Sequence, residues 1–372
     1  MEIYLDNAAT TKVDDTVLKS MLPFLKDKYG NASSIYRIGE ENREKIEESR
    51  NKIAKFLGVN NNEIIFTSSG SEANNFALKG VMLREKNKHV ITTKIEHSSV
   101  LNTCKYLEKF HKVTYLDVNE EGFVDLSQLK KAISKDTILV SVQSSNNEIG
   151  VIQDIKEIGK ICKKNKVLLH VDAVQSFGKT PLDLKNIDLL TISAHKIYGP
   201  KGIGVLYVKD GVKIDPLIHG GEQEFGLRGG TENVANIVGF GEAVELINFK
   251  EQDKIIKLRE LLIKRVLNEI PDSFLNGSLD KRLSNNASFG FKDVYGEDVV
   301  KHLNYNNVFC STGSACTQGT VEVSHVLKSL GLNDKDARSC IRMTLGKYNT
   351  EKEVKFVVEN LKIVIDSLRK VL

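Results

Sequence analysis

The sequence lacks the features that define several classes of protein. Only five of its 372 residues are proline, and it contains no Pro-rich or Ser-rich tract of the kind found in disordered chains. No apolar run is long enough to cross a bilayer, and the amino terminus has no basic region followed by an apolar stretch. We therefore expect neither a membrane protein nor a secreted one, which leaves the cytoplasm.

The sequence also has few cysteines and only a small excess of positive charge. Five cysteines, an odd number without a secretory signal, argue against a disulfide framework and for reduced thiols, and none has the paired spacing of a zinc site. The 53 basic and 49 acidic residues are spread along the chain and leave a net charge of +4, without the basic cluster of a nucleic-acid binder. No metal, direct nucleic-acid or membrane partner is expected.

Short apolar runs, rich in β-branched residues, alternate with amphipathic helical patterns across residues 63–208. Runs such as Ile64-Ile65-Phe66 and Leu189-Leu190-Thr191-Ile192 are typical of parallel strands that are covered on both faces. The sequence therefore predicts an α/β fold with a mostly parallel sheet.

The length of the chain and a polar, turn-rich segment at residues 271–284 indicate more than one domain. A helical pattern runs from Thr231 toward Ile270 before this segment, and strand and helix patterns alternate after it. We predict an N-terminal arm at residues 1–13, a large domain at 14–250 and a smaller α/β C-terminal domain at 251–372.

Lys196 lies in a segment that directly follows an apolar strand. Ligands collect at the carboxyl ends of strands in open α/β sheets, and a lysine that loses solvent there can condense with an aldehyde. Asp172 ends the preceding apolar run, and Gln175 follows three residues later. A buried carboxylate at this edge can keep the ring nitrogen of a pyridoxal group protonated, and an amide can bind the ring hydroxyl. Taken singly, these residues also suit a surface lysine, a helix N-cap and a solvent-facing glutamine.

A turn of small residues that contains Gly70 and Ser71 follows another strand and begins a helix. Backbone N–H groups at a helix start bind phosphate, so these two residues form a candidate phosphate site together with Ser193 and His195. The same turn also suits an ordinary helix N-cap.

His97 and Asn147 each follow a further strand and are therefore expected at the same sheet edge. An imidazole there can stack on a pyridine ring and exchange protons with a substrate near neutral pH. A capping or half-buried histidine fits the pattern at His97 equally well.

Cys316 differs from the other four cysteines, which lie in helical or apolar strand patterns and suit the core. It lies in a loop of small and polar residues, as expected of an exposed nucleophile.

Arg342 interrupts an apolar strand pattern, where its guanidinium suits either a clamp for a substrate carboxylate or a structural ion pair.

Taken together, these segments resemble the cysteine desulfurases of the class V aminotransferase superfamily, in particular the NifS/IscS-like group. The similarity extends from Tyr4-Leu5-Asp6-Asn7-Ala8-Ala9 to Cys340-Ile341-Arg342-Met343-Thr344. The resemblance implies the type I fold of pyridoxal phosphate (PLP) enzymes and the conversion of L-cysteine to L-alanine, with the sulfur transferred to Cys316 as a persulfide. It also implies a homodimer that delivers sulfur to an acceptor protein, either an iron–sulfur cluster scaffold or a tRNA-thiolation enzyme.

The resemblance further implies how the ring of the cofactor is held. Lys196 carries PLP covalently and abstracts the α-proton of the substrate. His97 stacks on the ring and handles protons of the substrate thiol. Asp172 and Gln175 hold the ring nitrogen and the ring hydroxyl.

Other residues are implied to bind the phosphate and the substrate. Arg342 orients the substrate carboxylate with Asn147, which also belongs to the cofactor site. The residues that hold the phosphate are Gly70, Ser71, Ser193, His195 and, across the dimer interface, Thr231.

The sequence departs from the family pattern at Ser71, in the phosphate turn, and at Glu222 and Phe225, in an interface loop, and has Val323 where relatives often have proline. A selenocysteine lyase or a class V aminotransferase would share the fold, although an aminotransferase has no need of Cys316. Outside the enzymes, the alternative is an inactive PLP-binding scaffold of a sulfur-transfer complex.

Overall fold

The computed structural model describes residues 2–313 and 323–371. A short strand, β1 (Ile3–Tyr4), belongs to the N-terminal arm. The next strands form a seven-stranded sheet and are β2 (Ile64–Thr67), β3 (His89–Thr93), β4 (Lys112–Leu116), β5 (Thr137–Gln143), β6 (Leu168–Asp172), β7 (Leu189–Ser193) and β8 (Gly204–Val208).

The order of strands across this large sheet is β2-β8-β7-β6-β5-β3-β4. Neighbouring strands are parallel except at β8, which runs antiparallel to both β2 and β7. The predicted α/β class and mostly parallel sheet are confirmed. The sequence does not predict β4, because this edge strand has only partly buried side chains over most of its length and no continuous apolar run.

Helices cover both faces of the large sheet. Leu139 and Leu189 pack into the core on one face, and their neighbours Val140 and Leu190 pack into the core on the other. Burial on both faces explains why these strands are nearly continuous apolar runs. The helices of this part of the chain are α1 (Asp15–Lys26), α2 (Arg37–Leu57), α3 (Gly70–Met82), α4 (Ser98–Leu107), α5 (Leu126–Ala132), α6 (Ile155–Lys164) and α7 (Val234–Glu245).

The C-terminal part alternates helices with short strands. The elements are α8 (Phe249–Glu269), β9 (Ser273–Leu275), β10 (Asn286–Phe291), α9 (Gly296–Tyr305), β11 (Val308–Phe309), β12 (Ser311–Thr312), α10 (His325–Ser329), α11 (Asp334–Arg338), β13 (Cys340–Thr344) and α12 (Glu351–Val371). An antiparallel sheet of order β12-β13-β10-β9 forms here, and β1 pairs in parallel with β11.

This part has its own hydrophobic core, which also takes in Ile3 and Leu5 of the arm. The separate core supports the division into residues 1–13, 14–250 and 251–372, which we keep as a proposal, although α8 already begins at Phe249. The single helical pattern expected between Thr231 and Ile270 is divided into two helices, α7 and α8. A new helix begins at Phe249 because the side chain of Asn248 caps α8, accepting a hydrogen bond from the backbone N–H of Lys250 at 3.0 Å.

Four cysteines lie within the described residues. Cys104 in α4, Cys162 in α6 and Cys340 in β13 are buried, as expected of core residues. Cys310 lies between β11 and β12 rather than in a strand and is only partly buried. Across the described ranges, no helix combines the length and the apolar character that a membrane span requires.

His170 is a buried titratable residue at the centre of the large sheet. Its Nδ1 lies 2.8 Å from the hydroxyl of Ser141 in β5, and its Nε2 lies 3.0 Å from the hydroxyl of Thr191 in β7. Burial lowers the pKa of His170 to about 3. The folded protein therefore keeps this ring neutral at pH values where an unfolded chain would protonate it.

We predict that His170 makes the protein sensitive to mild acid. The neutral His170 adds its full contribution to the free energy of unfolding when the pH is above the ordinary histidine pKa. This contribution is lost as the pH falls below that pKa, because only the unfolded state then takes up the proton. Between pH 7 and pH 5 the loss should be about 2 kcal/mol. His170→Asn keeps hydrogen-bonding groups but does not titrate, so its urea midpoint should fall less over this range than that of the parent. The exposed His302→Asn serves as control, and an equal fall in all three proteins would contradict the prediction.

Candidate active site

The carboxyl ends of the parallel strands bring the predicted residues to one edge of the large sheet. β6 ends at Asp172, and β7 ends at Ser193, which a 3₁₀ turn over Ala194–Lys196 follows. On the same edge, α3 begins after β2 and α4 begins after β3. Asp172 pairs with Thr191 in the neighbouring strand, so the carboxylate and the lysine turn lie on adjacent strands.

Lys196 lies under the N-terminal arm. Its Nζ donates hydrogen bonds to the backbone oxygens of Ala8 at 2.5 Å and Ala9 at 2.7 Å. The arm is fixed there because Thr11 donates from its backbone N–H and from its hydroxyl to the carbonyl of His195, both at 3.0 Å. The arm therefore forms one wall of the lysine site, a role that local sequence patterns do not reveal.

A second partly buried lysine, Lys179, lies next to this site and is not predicted by the sequence. Its Nζ donates to the backbone oxygen of Gln175 at 2.9 Å and to that of Lys196 at 3.4 Å. Burial, with the charge of Lys196, lowers the pKa of Lys179 to about 7. Its position four residues after Gln175, in a segment that follows a buried strand, is the signal that could have identified it.

Asp172 is buried, with 6% of its surface exposed. One carboxylate oxygen accepts from the Nδ2 of Asn74 at 2.7 Å, and the other accepts from the backbone N–H of Val174 at 3.0 Å. The residues after Asp172 form turns rather than a helix, so the N-cap alternative does not apply. The carboxylate is held in a fixed orientation, as a partner for a protonated ring nitrogen must be.

Gln175 fits a group that the protein itself does not supply. Its Nε2 donates to the backbone oxygen of Ala8 at 2.9 Å, whereas its buried Oε1 has no hydrogen-bond partner among the described residues. A buried acceptor without a donor is costly, so a ligand hydroxyl at this point would be stabilising. The residues of this edge therefore fit PLP, with Lys196 at its aldehyde, Asp172 at its ring nitrogen and Gln175 at its hydroxyl.

His97 is the N-cap residue of α4 and is only partly exposed. Its Nδ1 accepts from the backbone N–H of Ser99 at 3.2 Å and lies 2.8 Å from the hydroxyl of Ser99. Burial lowers the pKa of His97; the charge of Asp172 opposes this effect, and those of Lys196 and His325 add to it. The ring therefore caps α4 and also lies within the electrostatic field of the lysine site. A capping role for His97 is thus compatible with a role in the cofactor site.

Three of the predicted phosphate residues, Gly70, Ser71 and Ser193, meet at the start of α3. A Cβ added at Gly70 would lie 2.8 Å from a methyl group of Val174 and 3.7 Å from Cβ of Ser193, so only glycine allows this close approach. Ser71 is exposed in the first turn of the helix. Burial, with nearby lysine charges, lowers the pKa of His195 to about 3, so its ring is neutral and can act as a hydrogen-bond donor but not as a cation.

Arg342 lies in β13 with 2% of its surface exposed. It donates to the backbone oxygen of Asn147 at 3.0 Å and forms an ion pair with Asp6 at 2.8 Å. The structural ion pair is thus present, and the structure brings Arg342 next to the backbone of Asn147. Nε of Arg342 is buried and has no partner among the described residues, which leaves one donor for a carboxylate.

Cys316 lies outside the described residues, as does every other residue from 314 to 322. Ser324, which follows this gap, donates from its hydroxyl to the carboxyl group of Glu148 at 2.5 Å. Burial raises the pKa of Glu148 to about 7. His325 lies 3.0 Å, through Nε2, from the backbone oxygen of Glu96, the residue before His97.

The loop that contains Thr231 approaches the start of α3. Arg228 forms an ion pair with Glu72, at 3.0 Å, in the first turn of that helix. Gly230 has a φ of 120°, and a Cβ on Gly229 would lie 2.7 Å from Cα of Gly220, so the glycines before Thr231 permit the path of the chain. Thr231 itself is exposed.

One departure from the family pattern in this loop, Phe225, has a structural explanation. Phe225 and Glu224 both have positive φ angles, of 60° and 48°. The guanidinium of Arg50 lies 5.0 Å from the ring of Phe225 and 4.8 Å from that of Phe66, and it forms a buried ion pair with Glu224 at 2.7 Å. The stacking and the ion pair stabilise the unusual backbone.

Comparisons with known proteins agree with this site. The Aminotransferase class-V family matches residues 3–357. A protein of Dictyoglomus turgidum described as cysteine desulfurase IscS is 49% identical, over 100% of this chain and 96% of that protein. A solved structure described as a NifS-like protein superposes with a TM-score of 0.93 at 41% identity, covering 99% of this chain and 100% of that one. A structure described as SspA in complex with cysteine gives 0.85 at 38% identity, covering 94% and 100%.

The fold and the arrangement of lysine, carboxylate and amide define a PLP enzyme of fold type I. The chain belongs to the class V aminotransferase family and, within it, to the cysteine desulfurases of the NifS/IscS-like group. The predicted resemblance, cofactor and enzyme class are confirmed.

We predict that Lys196→Ala folds but loses the visible absorbance of lysine-bound PLP, because the amine that binds the aldehyde is removed. The partly buried Lys179 provides a matched test, since its amine lies beside the same turn and bonds the backbone oxygens of Gln175 and Lys196. Lys179→Met should keep a borohydride-reducible linkage, and peptide mapping should locate that linkage on Lys196. A linkage that survives in Lys196→Ala would contradict the assignment.

Proposed function

We propose that this cysteine desulfurase transfers the sulfur of L-cysteine to Cys316 as a persulfide and releases L-alanine. The Cβ–S bond of the substrate breaks, an S–S bond to Cys316 forms, and one of the two thiol protons completes the methyl group of alanine while the other remains with the persulfide. The substrate carbon is reduced as its sulfur is oxidised to the persulfide level, so no outside oxidant or reductant is needed. The observation that carries the proposal is the meeting of Lys196, Asp172 and His97 at one sheet edge in a chain of this family.

The residues of the ring site have distinct tasks in this proposal. Bound PLP supplies an electron sink that acidifies the Cα–H bond of cysteine and weakens its Cβ–S bond. Lys196 holds the cofactor and moves the α-proton, and the carbonyl groups of Ala8 and Ala9 keep its amine in place. Asp172 holds the ring nitrogen, Gln175 holds the ring hydroxyl, and His97 stacks on the ring and acts on protons of the bound substrate.

The phosphate and the substrate carboxylate are bound by separate groups. The first turn of α3 offers backbone N–H groups to the phosphate, and the neutral ring of His195 adds a further donor. Arg342 and Asn147 orient the carboxylate, and Nε of Arg342, which has no partner in the described part of the chain, is an available donor. The phosphate residues in this assignment are Gly70, Ser71, Ser193 and His195, together with Thr231.

We further propose that sulfur leaves Cys316 for an acceptor protein, either an iron–sulfur cluster scaffold or a tRNA-thiolation enzyme, in the cytoplasm. The name IscS carried by relatives supports the first acceptor. The four described cysteines are free thiols, which is consistent with a reducing compartment.

Incubation with L-cysteine should yield alanine without an added keto acid, whereas an aminotransferase would require one, and parallel incubation with selenocysteine would identify a lyase.

We predict that Cys316→Ser keeps bound PLP and still binds L-cysteine but forms no persulfide, because a hydroxyl is a poor nucleophile toward sulfur. Mass spectrometry after a single turnover measures the added sulfur atom. Cys310→Ser is the control, because burial raises the pKa of the Cys310 thiol to about 12 and makes it unreactive. Sulfide release at the parental rate from Cys316→Ser, in the presence of dithiothreitol, would identify another acceptor.

The active unit in this proposal is a two-fold homodimer in which Thr231 completes the phosphate site of the other subunit. Thr231 is exposed, and the glycines before it give its loop the freedom to cross to a neighbour. A two-fold axis makes such sharing reciprocal, so each subunit completes the site of the other.

We predict that a heterodimer of Lys196→Ala and Thr231→Ala subunits contains one restored site. The site with the intact Lys196 receives the intact Thr231 of its partner and should bind PLP with near-parental affinity in a cofactor titration. The Thr231→Ala homodimer serves as the weakened reference. If the mixed dimer binds no more tightly than this reference, Thr231 acts within its own subunit.

A further inference from the structure

Asn74 connects two parts of the active site that the proposed mechanism treats separately. It lies in α3 with 1% of its surface exposed. Its Nδ2 donates to Asp172 at 2.7 Å and to the hydroxyl of Ser99 at 2.8 Å. An ionised carboxylate only accepts hydrogen bonds, so the nitrogen and not the oxygen of the amide faces Asp172. Both N–H groups of Asn74 are therefore used.

The direction of the next hydrogen bond follows from this arrangement. The oxygen of Ser99 accepts from Asn74, and its hydroxyl lies 2.8 Å from Nδ1 of His97 and can donate to that nitrogen wherever the nitrogen is an acceptor. The backbone N–H of Ser99 donates to the same Nδ1 at 3.2 Å. Two donors on one ring nitrogen require that nitrogen to carry a lone pair.

We propose that Asn74 and Ser99 are positioning residues that fix the tautomer of His97, with the ring proton on Nε2, and connect the ring to the buried charge of Asp172. The Oδ1 of Asn74 is buried and has no partner among the described residues. Burying an acceptor without a partner is unfavourable. This cost indicates that Asn74 is present for the two hydrogen bonds that its N–H groups donate. Ser99 is placed by the first turn of α4, so the backbone of that helix sets the orientation of the ring.

This inference rests on the proposed role of His97 and makes it more specific. In the resting enzyme the ring offers the substrate a hydrogen-bond donor at Nε2 rather than a base. Protonation at Nδ1 would turn an N–H toward the backbone N–H of Ser99, so the network opposes the charged ring. The charged and titratable groups that face His97 are Asp172 at the end of β6, Lys196 in the turn after β7 and His325 in α10.

The chain offers a matched pair of variants for a direct test. Ser99→Ala removes the hydroxyl from Nδ1, whereas Ser98→Ala removes an exposed hydroxyl from the adjacent position of the same helical turn. Holoenzyme labelled with ¹⁵N-histidine, with the signal of His97 assigned through His97→Gln, reports the protonation of each ring nitrogen. We expect one tautomer, protonated on Nε2, in the parent and in Ser98→Ala, and a mixture of tautomers in Ser99→Ala.

Kinetics provide a second readout. Loss of one hydrogen bond should lower kcat/KM of Ser99→Ala at pH 7 about fivefold and move the acidic limb of its pH profile to higher pH, because a donor that opposes the charged ring is gone. Ser99→Thr keeps a hydroxyl and should restore both properties. Asn74→Ala should act in the same direction, and the double variant with Ser99→Ala should be little worse than either alone, since both act on one contact.

The outcomes separate this inference from the proposed function. If His97 of the parent carries its proton on Nδ1, or if Ser99→Ala keeps the parental tautomer and pH profile, the inference is wrong. If His97→Gln turns over cysteine at the parental rate, the proposed role of His97 fails whatever the spectra show. The parental spectrum remains decisive even if Ser99→Ala does not fold.

Discussion

The buried carboxylate of Asp172 is the constraint around which the active site is organised. A charge at the end of a strand, away from water, must be hydrogen-bonded, and Asn74 and the backbone N–H of Val174 supply those bonds. The same charge affects its neighbours. Burial, together with Asp172, raises the pKa of Glu96 to about 8, so this second acid near the site is protonated at neutral pH and adds no competing negative charge.

Parallel pairing explains why the sequence predicts so much of this site. The strands are buried on both faces and are therefore recognisable as apolar runs, and the polar residue after each run necessarily falls at one sheet edge. This argument places Lys196, Asp172, His97 and Asn147 at one edge, but their roles come from the resemblance to a family. The same argument fails at β8, because an antiparallel strand buried on both faces has the same local pattern as a parallel one.

Contacts between residues distant in sequence could not be predicted. Nothing in the first nine residues indicates that the carbonyl groups of Ala8 and Ala9 hold the amine of Lys196. Asn74 looks like any polar residue of an amphipathic helix until the fold places it beside Asp172. The alternatives for Arg342 were open for the same reason, since its ion pair with Asp6 joins residues 336 positions apart.

The N-terminal arm has a consequence for how the protein is made. Ala8 donates from its backbone N–H to the hydroxyl of Thr344 at 2.8 Å, and Asn7 donates from its side chain to the carbonyl of Thr344 at the same distance. This segment of the arm thus finds its hydrogen-bond partners in β13, 336 positions later in the chain. Contacts of such long sequence separation form late, because the entropy of closing the loop must be overcome first. During synthesis the large sheet can fold while Lys196 still lacks one wall of its site, so the ability to hold the cofactor is acquired only after β13 has been translated.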